Sequence, residues 1–224
     1  MSLLQEALSF LQQVSVKSFS EPFLIGRGTE RLCFFLPNNP TVVLKISKDN
    51  FDKQTRREIN YFKFLANKKV PFTHLPHFFQ EIRTPEYHCF LQERVLNEDG
   101  TPSPTLYQYL KDADVTDKKV KAAVLQLLKD FFCYIYRYNI IPCDLQMVNL
   151  LIKRTQKGSK LIFVDGLGST DAINIAQYIA WWGRKKILRK TIFFLKNNPK
   201  LASLFNTEQD IEPWVYEQIK NPRS

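Results

Sequence analysis

The sequence predicts an α+β protein of two lobes. After an N-terminal helix, the first half is rich in strand patterns and holds one long helix. The second half is rich in helix patterns and holds one hairpin. Between them, NEDGTPSP combines Gly, Pro and polar residues as linkers do. We therefore predict an amphipathic helix in 1–20, a β-rich lobe at 21–96, a linker at 97–104 and an α-rich lobe at 105–224.

Composition and charge limit the classes of possible binding partner but do not select one class. The chain has 32 Lys and Arg against 22 Asp and Glu, a net charge of +10, which suits nucleotide phosphates, nucleic acid or an anionic membrane surface. No apolar run approaches the roughly 20 residues that span a bilayer. The first 14 residues lack the basic start of a signal peptide. These features predict a soluble, cytoplasmic protein, with delivery into another cell left open.

The cysteines and histidines give no metal-site pattern. Without a Cys-x-x-Cys pair, the cysteines are predicted to be reduced core thiols, with disulfides or a zinc site as the alternative. His74 and His77 have prolines nearby and no carboxylate or thiol at ligand spacing, so they are predicted as loop or strand residues. His88 is isolated. The four cysteines are Cys33, Cys89, Cys133 and Cys143.

The first-lobe elements follow from periodicity and turn residues. Residues 21–36 predict two strands around a Gly turn, and the β-branched stretch 41–47 predicts a third strand. Residues 52–69 have an apolar helical face, and 75–95 predict two strands joined by a turn at 84–86. The N-terminal helix has apolar residues at helical spacing: Leu3, Leu4, Ala7, Leu8 and Leu11.

The second-lobe elements are mostly helical. Residues 105–113 and 116–139 predict helices, and Thr116 or Asp117 could cap the longer one. Residues 149–166 predict a hairpin, because two apolar runs flank a polar, Gly-containing turn. From Asp171 onward the chain is predicted to be helical and basic.

Glycine and lysine placement suggests a phosphate site in the first lobe. Gly26 and Gly28 form a G-x-G between two strands; a plain hairpin turn is the alternative. Lys45 lies in an apolar strand, where an edge-strand lysine with its head in solvent is the alternative. Glu58, thirteen residues later, lies beside the apolar face of the next helix and could pair with Lys45. A lysine held in this way could bind two phosphates.

Three polar residues flank the second-lobe hairpin. Asp144 and Asn149 come before and at its start, and Asp165 follows it. A hairpin brings its ends together, so we expect the three side chains to converge. Asn149 and Asp165 offer hard oxygen ligands that suit Mg²⁺ already holding phosphate oxygens, which leaves Asp144 to meet a hydroxyl nucleophile.

In this order the motifs resemble the protein-kinase-like superfamily. IGRG is similar to the Gly-rich loop, VVLK to the V-A-I-K strand, CDLQMVNLL to the H-R-D-L-x-x-x-N loop and VDG to D-F-G. The resemblance implies a minimal bilobal kinase-like fold that binds ATP with Mg²⁺, or with Mn²⁺. It implies that Asp144 accepts the proton of the substrate hydroxyl and that Asn149 and Asp165 hold the metal. The nucleotide-binding residues would be Gly26, Gly28, Thr29, Lys45, Glu58, Glu93 and Val95.

Within this superfamily the chain resembles the small YrbL-type family of PhoP-regulatory-network proteins, over about residues 20–205. The resemblance is carried by GRGTERLCFFLPNNPTVVLK, RREINYFKFL, TPSPTLYQYL and WWGRKKILRKTIFFLKNNPKLA. It implies a fold and a class of activity, and it names no substrate.

The chain departs from protein kinases at several positions. Pro142 and Cys143 replace the loop His and Arg, and Gln146 replaces the loop lysine. Glu30 or Arg31 stands where the third glycine would be. Only 59 residues follow Asp165, without an A-P-E motif, so the chain would be a minimal kinase.

The prediction is therefore an ATP- and Mg²⁺-dependent phosphotransferase acting on a hydroxyl, most simply a protein Ser or Thr. The altered loop keeps a pseudokinase, a nucleotide-binding regulatory scaffold, as an alternative. A small-molecule kinase of the aminoglycoside or sugar type is a further alternative. Sequence-specific nucleic-acid binding is not predicted, because no recognition motif is present.

The basic C-terminal region has two interpretations. Seven of the seventeen residues 184–200 are Lys or Arg, and apolar residues lie between them, which is typical of peripheral membrane or nucleic-acid contact. The favoured interpretation is a helix that packs its apolar face inward, with Trp181 and Trp182 as packing anchors.

Overall fold

The computed structural model describes residues 1–168 and 179–220. They divide into two compact units. Unit 1 is Met1–Phe72 with Pro76–Leu96, and unit 2 is Thr73–Leu75 with the described part of Asn97–Ser224. Both units contain antiparallel strands and helices, so the predicted α+β class is confirmed. Among the described residues, no helix is both long enough and apolar enough to cross a membrane.

Unit 1 is organised around a five-stranded antiparallel sheet with the strand order β1-β2-β3-β5-β4. The central strand is buried along all but its last residue, as expected of a β-branched sequence covered on both faces. The predicted strands in 21–36, 41–47 and 75–95 are confirmed. The strands are β1 Leu24–Arg27, β2 Arg31–Phe35, β3 Val42–Lys48, β4 Phe78–Arg83 and β5 Tyr87–Glu93.

The N-terminal helix α1, Leu3–Gln13, belongs to unit 1 and shares the core of its sheet. Its inward face differs from the predicted one, because Leu4 and Leu8 are exposed. Glu6 is buried instead and accepts a hydrogen bond from the Asn38 amide at 2.7 Å, which holds this side of the helix against the β2–β3 turn. The shared core includes Ala7, Phe10, Leu11, Phe34, Leu36 and Leu44.

A second long helix, α3, packs on the same sheet. It spans Lys53–Asn67, after the short helix α2, Lys17–Ser20. The ring of Phe62 lies 5.5 Å from that of Phe78 and 6.2 Å from that of Phe90, which joins α3 to β4 and β5. The predicted helix at 52–69 is confirmed, and its apolar face covers the sheet.

His88 on β5 is buried and makes contacts that no pattern in the sequence predicts. Its Nδ1 lies 2.8 Å from Asp52 Oδ2, just before α3, and its Nε2 lies 2.8 Å from Glu81 Oε1 on β4. The imidazole therefore links the start of α3 to β4 and β5.

Unit 2 surrounds one hairpin with helices. The predicted helices in 105–113 and 116–139 and the hairpin in 149–166 are confirmed, and Asp117 caps α5 by accepting from the Lys119 amide at 2.7 Å. Of the helical prediction from Asp171 onward, residues 171–178 and 221–224 lie outside the described residues. The elements are α4 Leu106–Asp112, α5 Lys118–Arg137, β6 Leu150–Thr155, β7 Gly158–Phe163, α6 Ala180–Lys196, α7 Pro199–Ala202 and α8 Ile211–Val215.

Aromatic contacts hold the unit 2 core together. The ring of Phe131 on α5 lies 6.0 Å from that of Phe163 on β7, and the ring of Phe132 lies 6.1 Å from that of Phe194 on α6. Helix α6 therefore packs its apolar face inward, as predicted.

The tryptophans of α6 do not anchor that packing. Trp181 and Trp182 are 66% and 59% exposed, so their prediction as packing anchors is wrong. The buried positions of the helix include Ile187, Phe194 and Leu195, and Trp182 lies on the opposite side of the helix.

The cysteines are all in the described part of the chain, and none of them forms a disulfide. Cys89 is fully buried, and burial raises the pKa of its thiol to about 12. Cys33, Cys133 and Cys143 are only half-buried. The prediction of core thiols therefore holds for Cys89 alone.

Candidate functional site

Lys45 is a buried lysine on the central strand of unit 1. Its side chain is 4% exposed, and its Nζ lies 3.4 Å from Glu58 Oε1 on α3. The edge-strand alternative is therefore wrong, because β3 is flanked on both sides by other strands. Each of these buried charges is stabilised by the other. Removing one partner of such a pair lowers the free energy of unfolding by about 3–5 kcal/mol, because it leaves a buried charge without a partner.

Arg31 is a third member of this cluster. Its Nη1 forms a buried ion pair with Glu58 Oε2, so one carboxylate bridges two cations. The Phe90 ring lies against both, with its centroid 5.9 Å from the Arg31 guanidinium carbon and 5.3 Å from Lys45 Nζ. This arrangement fixes the position of the lysine ammonium.

The role of Arg31 was missed, although a signal for it exists in the strand pattern. Cys33 on β2 faces Lys45 across the ladder, and Arg31 faces Ser47. Side chains two residues apart on a strand share a face, so Arg31 must lie on the same face as Lys45. Reading β2 and β3 together would have placed Arg31 beside the predicted Lys45–Glu58 pair.

The predicted phosphate loop is a tight turn between β1 and β2. The Gly28 amide donates to the Arg31 carbonyl at 2.8 Å, with Thr29 inside the turn. A Cβ at Gly26 would meet nothing within 4 Å, so the fold itself does not require glycine there. The hairpin-turn alternative describes the local geometry, and phosphate binding by Gly26, Gly28 and Thr29 stays a prediction.

The segment predicted to meet adenine follows β5. The Glu93 amide donates to the His77 carbonyl at 2.8 Å, and the Arg94 amide donates to the Thr41 carbonyl at 2.7 Å. Val95 is buried. These bonds hold the segment in place and already use two of its amide groups, which leaves Val95 as the better-suited residue of the predicted pair for a base contact.

Asp144 and Asn149 lie together in unit 2, in the loop before the hairpin. The Asn149 Nδ2 group donates to the Asp144 carbonyl at 3.1 Å and reaches Asp144 Oδ2 at 3.4 Å. The other carboxylate oxygen, Oδ1, accepts from Gln146 Nε2 at 2.8 Å. The Asp144 side chain is exposed. It is thus an oriented carboxylate that solvent or a substrate can approach.

The backbone after the hairpin holds this loop from the other side. The Gly166 carbonyl accepts from the amides of Cys143 at 2.6 Å and Asp144 at 3.2 Å. Gly166 has φ +83°, and a Cβ there would lie 2.8 Å from the Asp144 carbonyl oxygen. Glycine at 166 is therefore required by both its conformation and its close approach to Asp144.

Asn149 and Asp165, the predicted metal ligands, flank the two ends of the hairpin. The Val164 amide donates to the Asn149 carbonyl at 2.9 Å, and the Gly166 amide donates to Asp165 Oδ1 at 2.7 Å. Asn149 donates through Nδ2, so its Oδ1 is the atom suited to a cation. A carboxamide oxygen and a carboxylate fit Mg²⁺, which takes few protein ligands beside phosphate and water. Among the described residues, no group of three or more His, Cys, Asp or Glu is arranged so that it could hold a metal ion.

Lys190 on α6 is a second functional candidate that was missed. Its Nζ donates to the Cys143 carbonyl at 3.0 Å, next to Asp144. Burial lowers the pKa of Lys190, with the charges of Lys186 and Arg189 acting in the same direction and those of Cys143 and Asp144 opposing it. The signal in the sequence is weak, because Lys190 is one of many basic residues in its region and lies 46 positions after Asp144.

The structure therefore groups the predicted residues within each unit. In unit 1, Lys45 meets Glu58 and, unpredicted, Arg31. In unit 2, Asp144 meets Asn149 and the backbone beside Asp165.

Comparison with known proteins gives one family. The family described as PhoP regulatory network protein YrbL matches residues 18–198 of this chain. A protein of Escherichia coli (strain K12) that bears the name Uncharacterized protein YrbL is 25% identical over 198 residues, which cover 87% of this chain and 92% of the relative. A protein of Shigella flexneri with the same name shows the same identity and coverage.

Proposed function

We propose that this chain, which belongs to the PhoP regulatory network protein YrbL family, is an ATP- and Mg²⁺-dependent phosphotransferase with a hydroxyl acceptor, on a protein Ser or Thr. The observation that carries the proposal is the Lys45–Glu58 pair, buried on the central strand of unit 1. A buried lysine normally has to be explained by a partner or a function. A lysine held by a glutamate is the phosphate-binding arrangement of kinases.

In this proposal unit 1 holds the nucleotide. Lys45 binds phosphate oxygens, with its ammonium positioned by Glu58 and, through that carboxylate, by Arg31. The β1–β2 turn with Gly26, Gly28 and Thr29 covers the phosphates, and the backbone near Val95 meets adenine. Glu93 helps to fix that segment through the hydrogen bond that its backbone amide donates to the His77 carbonyl.

Unit 2 supplies the groups for transfer. Asn149 and Asp165 hold Mg²⁺, or Mn²⁺ in its place, and the metal neutralises charge on the phosphates. Asp144 accepts the proton of the acceptor hydroxyl. The hydroxyl oxygen then bonds to the γ-phosphorus, and ADP leaves. Gln146 stands where kinases place a lysine, and Lys190 is a nearby basic side chain that supports the same part of the loop.

A pseudokinase is the second candidate, favoured by the contacts of Asp144. Gln146 donates to one oxygen of its carboxylate at 2.8 Å, and Asn149 reaches the other at 3.4 Å. These contacts occupy positions on the carboxylate that the hydroxyl of an acceptor would need. Such a protein would bind nucleotide and regulate a partner without transferring phosphate.

Nucleotide binding tests the proposal first. Wild-type protein should bind a fluorescent ATP analogue only with Mg²⁺ or Mn²⁺. Asp165→Ala should abolish this metal-dependent binding. Lys45→Met should weaken binding at least about tenfold, the effect of losing one charge-assisted contact. Lys48→Met is the matched control, because Lys48 ends the same strand but is exposed. Equal binding by the Lys45 and Lys48 variants would refute the site.

Phosphate transfer separates the two candidates. With γ-labelled ATP, the kinase proposal expects label on the chain itself or on an added protein acceptor, lost in Asp144→Ala while nucleotide binding remains. Metal-dependent binding with no transfer to any acceptor supports the pseudokinase. Label on a sugar or an aminoglycoside and not on protein would place the chain among small-molecule kinases.

A further inference from the structure

Helix α6 carries large aromatic side chains on its outer side. Trp181, Trp182 and Phe193 are 66%, 59% and 67% exposed, and Ile179 just before the helix is also exposed. Aromatic side chains of this size normally dominate cores and interfaces, because each buries a large area. Their grouping on one helix is therefore a surface feature that needs a partner.

The same face is strongly basic. Helix α6 contains six Lys and Arg and no Asp or Glu. Trp182, Lys186, Arg189 and Phe193 are spaced by four, three and four residues, which places them in one row along the helix. Lys185 Nζ also lies 5.6 Å from the centre of the Trp181 ring. The row thus has an aromatic ring at each end and two cationic groups between them, of which Arg189 is exposed and Lys186 is half-buried.

The opposite face fixes this helix to unit 2. Ile187, Thr191 and Leu195 are fully buried, and the Lys190 ammonium is tied to the Cys143 carbonyl. The aromatic residues cannot turn inward without losing that packing. The outer face is therefore presented on a rigid support.

We propose that this aromatic and basic face of α6 binds an anionic lipid membrane surface. The Trp and Phe rings enter the boundary between headgroups and acyl chains, where flat-lying amphipathic helices bury their apolar side. Lys185 and Arg189, which are exposed, extend toward the lipid phosphates, with their methylene stems along the apolar boundary. Each basic residue near such a surface contributes about 1 kcal/mol, which is about fivefold in affinity.

The geometry favours a membrane over a nucleic acid. Proteins that bind single strands use a groove with stacking platforms, whereas a single helix face is convex. From Trp182 to Phe193 the helix advances about 16 Å, so the two rings can enter one flat surface together. The overall charge of +10 favours an anionic surface in either case.

Vesicle binding tests the proposal on the full chain. We expect the protein to sediment with vesicles of phosphatidylcholine and phosphatidylserine and not with vesicles of phosphatidylcholine alone. In a Trp214→Phe background, tryptophan emission comes only from Trp181 and Trp182, and it should shift to the blue on binding. Trp182→Ala with Phe193→Ala should abolish the binding, and Lys185→Glu with Arg189→Glu should weaken it about tenfold or more.

Matched variants distinguish binding through this face of α6 from general effects of net charge or exposed aromatic area. Lys118→Glu with Lys119→Glu changes the net charge equally on an exposed part of α5, and Tyr107→Ala removes an exposed aromatic ring from α4. Both should bind vesicles as the wild type does. Circular dichroism will show that each variant is folded. The proposal is overturned if anionic vesicles are not bound at low salt, or if the α6 variants bind equally well. Binding of single-stranded RNA through this face in place of vesicles would also overturn it.

Discussion

At the scale of single residues, Gly166 is the position on which the Asp144 loop most depends. Its φ is +83°, and an added Cβ would lie 2.9 Å from Asp144 Cβ as well as 2.8 Å from the Asp144 carbonyl oxygen. These atoms are backbone or attached directly to it, so they cannot move aside as the end of a flexible side chain could. Strain at 166 would therefore pass directly to the candidate catalytic carboxylate.

Gly166→Ala should lower the stability of unit 2 and displace Asp144. Gly100→Ala is a matched control, because Gly100 has φ +82° but nothing within 4 Å of the added Cβ. The control should lower the free energy of unfolding by about 1 kcal/mol through backbone strain alone. Gly166→Ala should lower it by about 1–3 kcal/mol more. Urea unfolding followed by tryptophan fluorescence measures both, and equal losses would contradict the close approach of Asp144.

At the scale of elements, buried charges join α3 to the sheet of unit 1. The two ring nitrogens of His88 each face a carboxylate oxygen, from Asp52 and from Glu81. The imidazole thus joins two acidic side chains, at the point where α3 begins.

Basic side chains complete this network. Arg56 Nη2 lies 2.7 Å from Asp52 Oδ1, and Arg83 Nη2 lies 3.8 Å from Asp52 Oδ2. Burial raises the pKa of Asp52, but the hydrogen bonds from His88 and Arg56 outweigh it, so the pKa lies below its usual value of 3.8. A hydrogen bond from Lys63 is the main cause that lowers the pKa of Glu81 below 4.5; burial opposes it, and His88 adds to the lowering.

Unit 1 should therefore lose stability in acid. A carboxyl group whose folded pKa is lowered contributes stability that is present above its unfolded pKa and is lost as the pH falls through the folded value. For Asp52 and Glu81 the loss begins near pH 4.5 and continues below 3.8. Urea unfolding followed by far-ultraviolet circular dichroism, from neutral pH to about pH 3, will measure it. Asp52→Asn with Glu81→Gln should flatten this dependence, and an unchanged slope in that variant would contradict the assignment.

At the scale of the whole molecule, elements were easier to predict from the sequence than contacts were. The helices α3 and α5 and the 149–166 hairpin follow from apolar periodicity and turn residues, which are local signals. The side chains of Arg31, His88 and Lys190 meet their partners only after strands and helices pack, so no local pattern shows them. Trp181 and Trp182 were misplaced for the same reason, because large apolar residues are usually buried and only the packed helix shows that these are not.

The division into two units leads to a prediction about how the protein unfolds. Each unit has its own buried core, and domains with separate cores can unfold in separate transitions. The three tryptophans, Trp181, Trp182 and Trp214, all lie in unit 2. Tryptophan fluorescence therefore reports unit 2 alone, whereas circular dichroism reports both units.

The variant His88→Ala tests whether the two units unfold separately, because tryptophan fluorescence and circular dichroism report different parts of the chain. Removal of the imidazole takes a hydrogen-bonding partner from the buried carboxylate of Asp52 and from the half-buried carboxylate of Glu81. It should lower the free energy of unfolding of unit 1 by about 3 kcal/mol. Urea unfolding by circular dichroism should then show an early transition that tryptophan fluorescence does not follow. Lys17→Ala breaks an exposed pair with Glu21 in the same unit and should change both curves by less than about 1 kcal/mol. If His88→Ala moved the two curves together, the chain would unfold as one cooperative body, because the loss of a contact inside unit 1 would then destabilise the core of unit 2 equally.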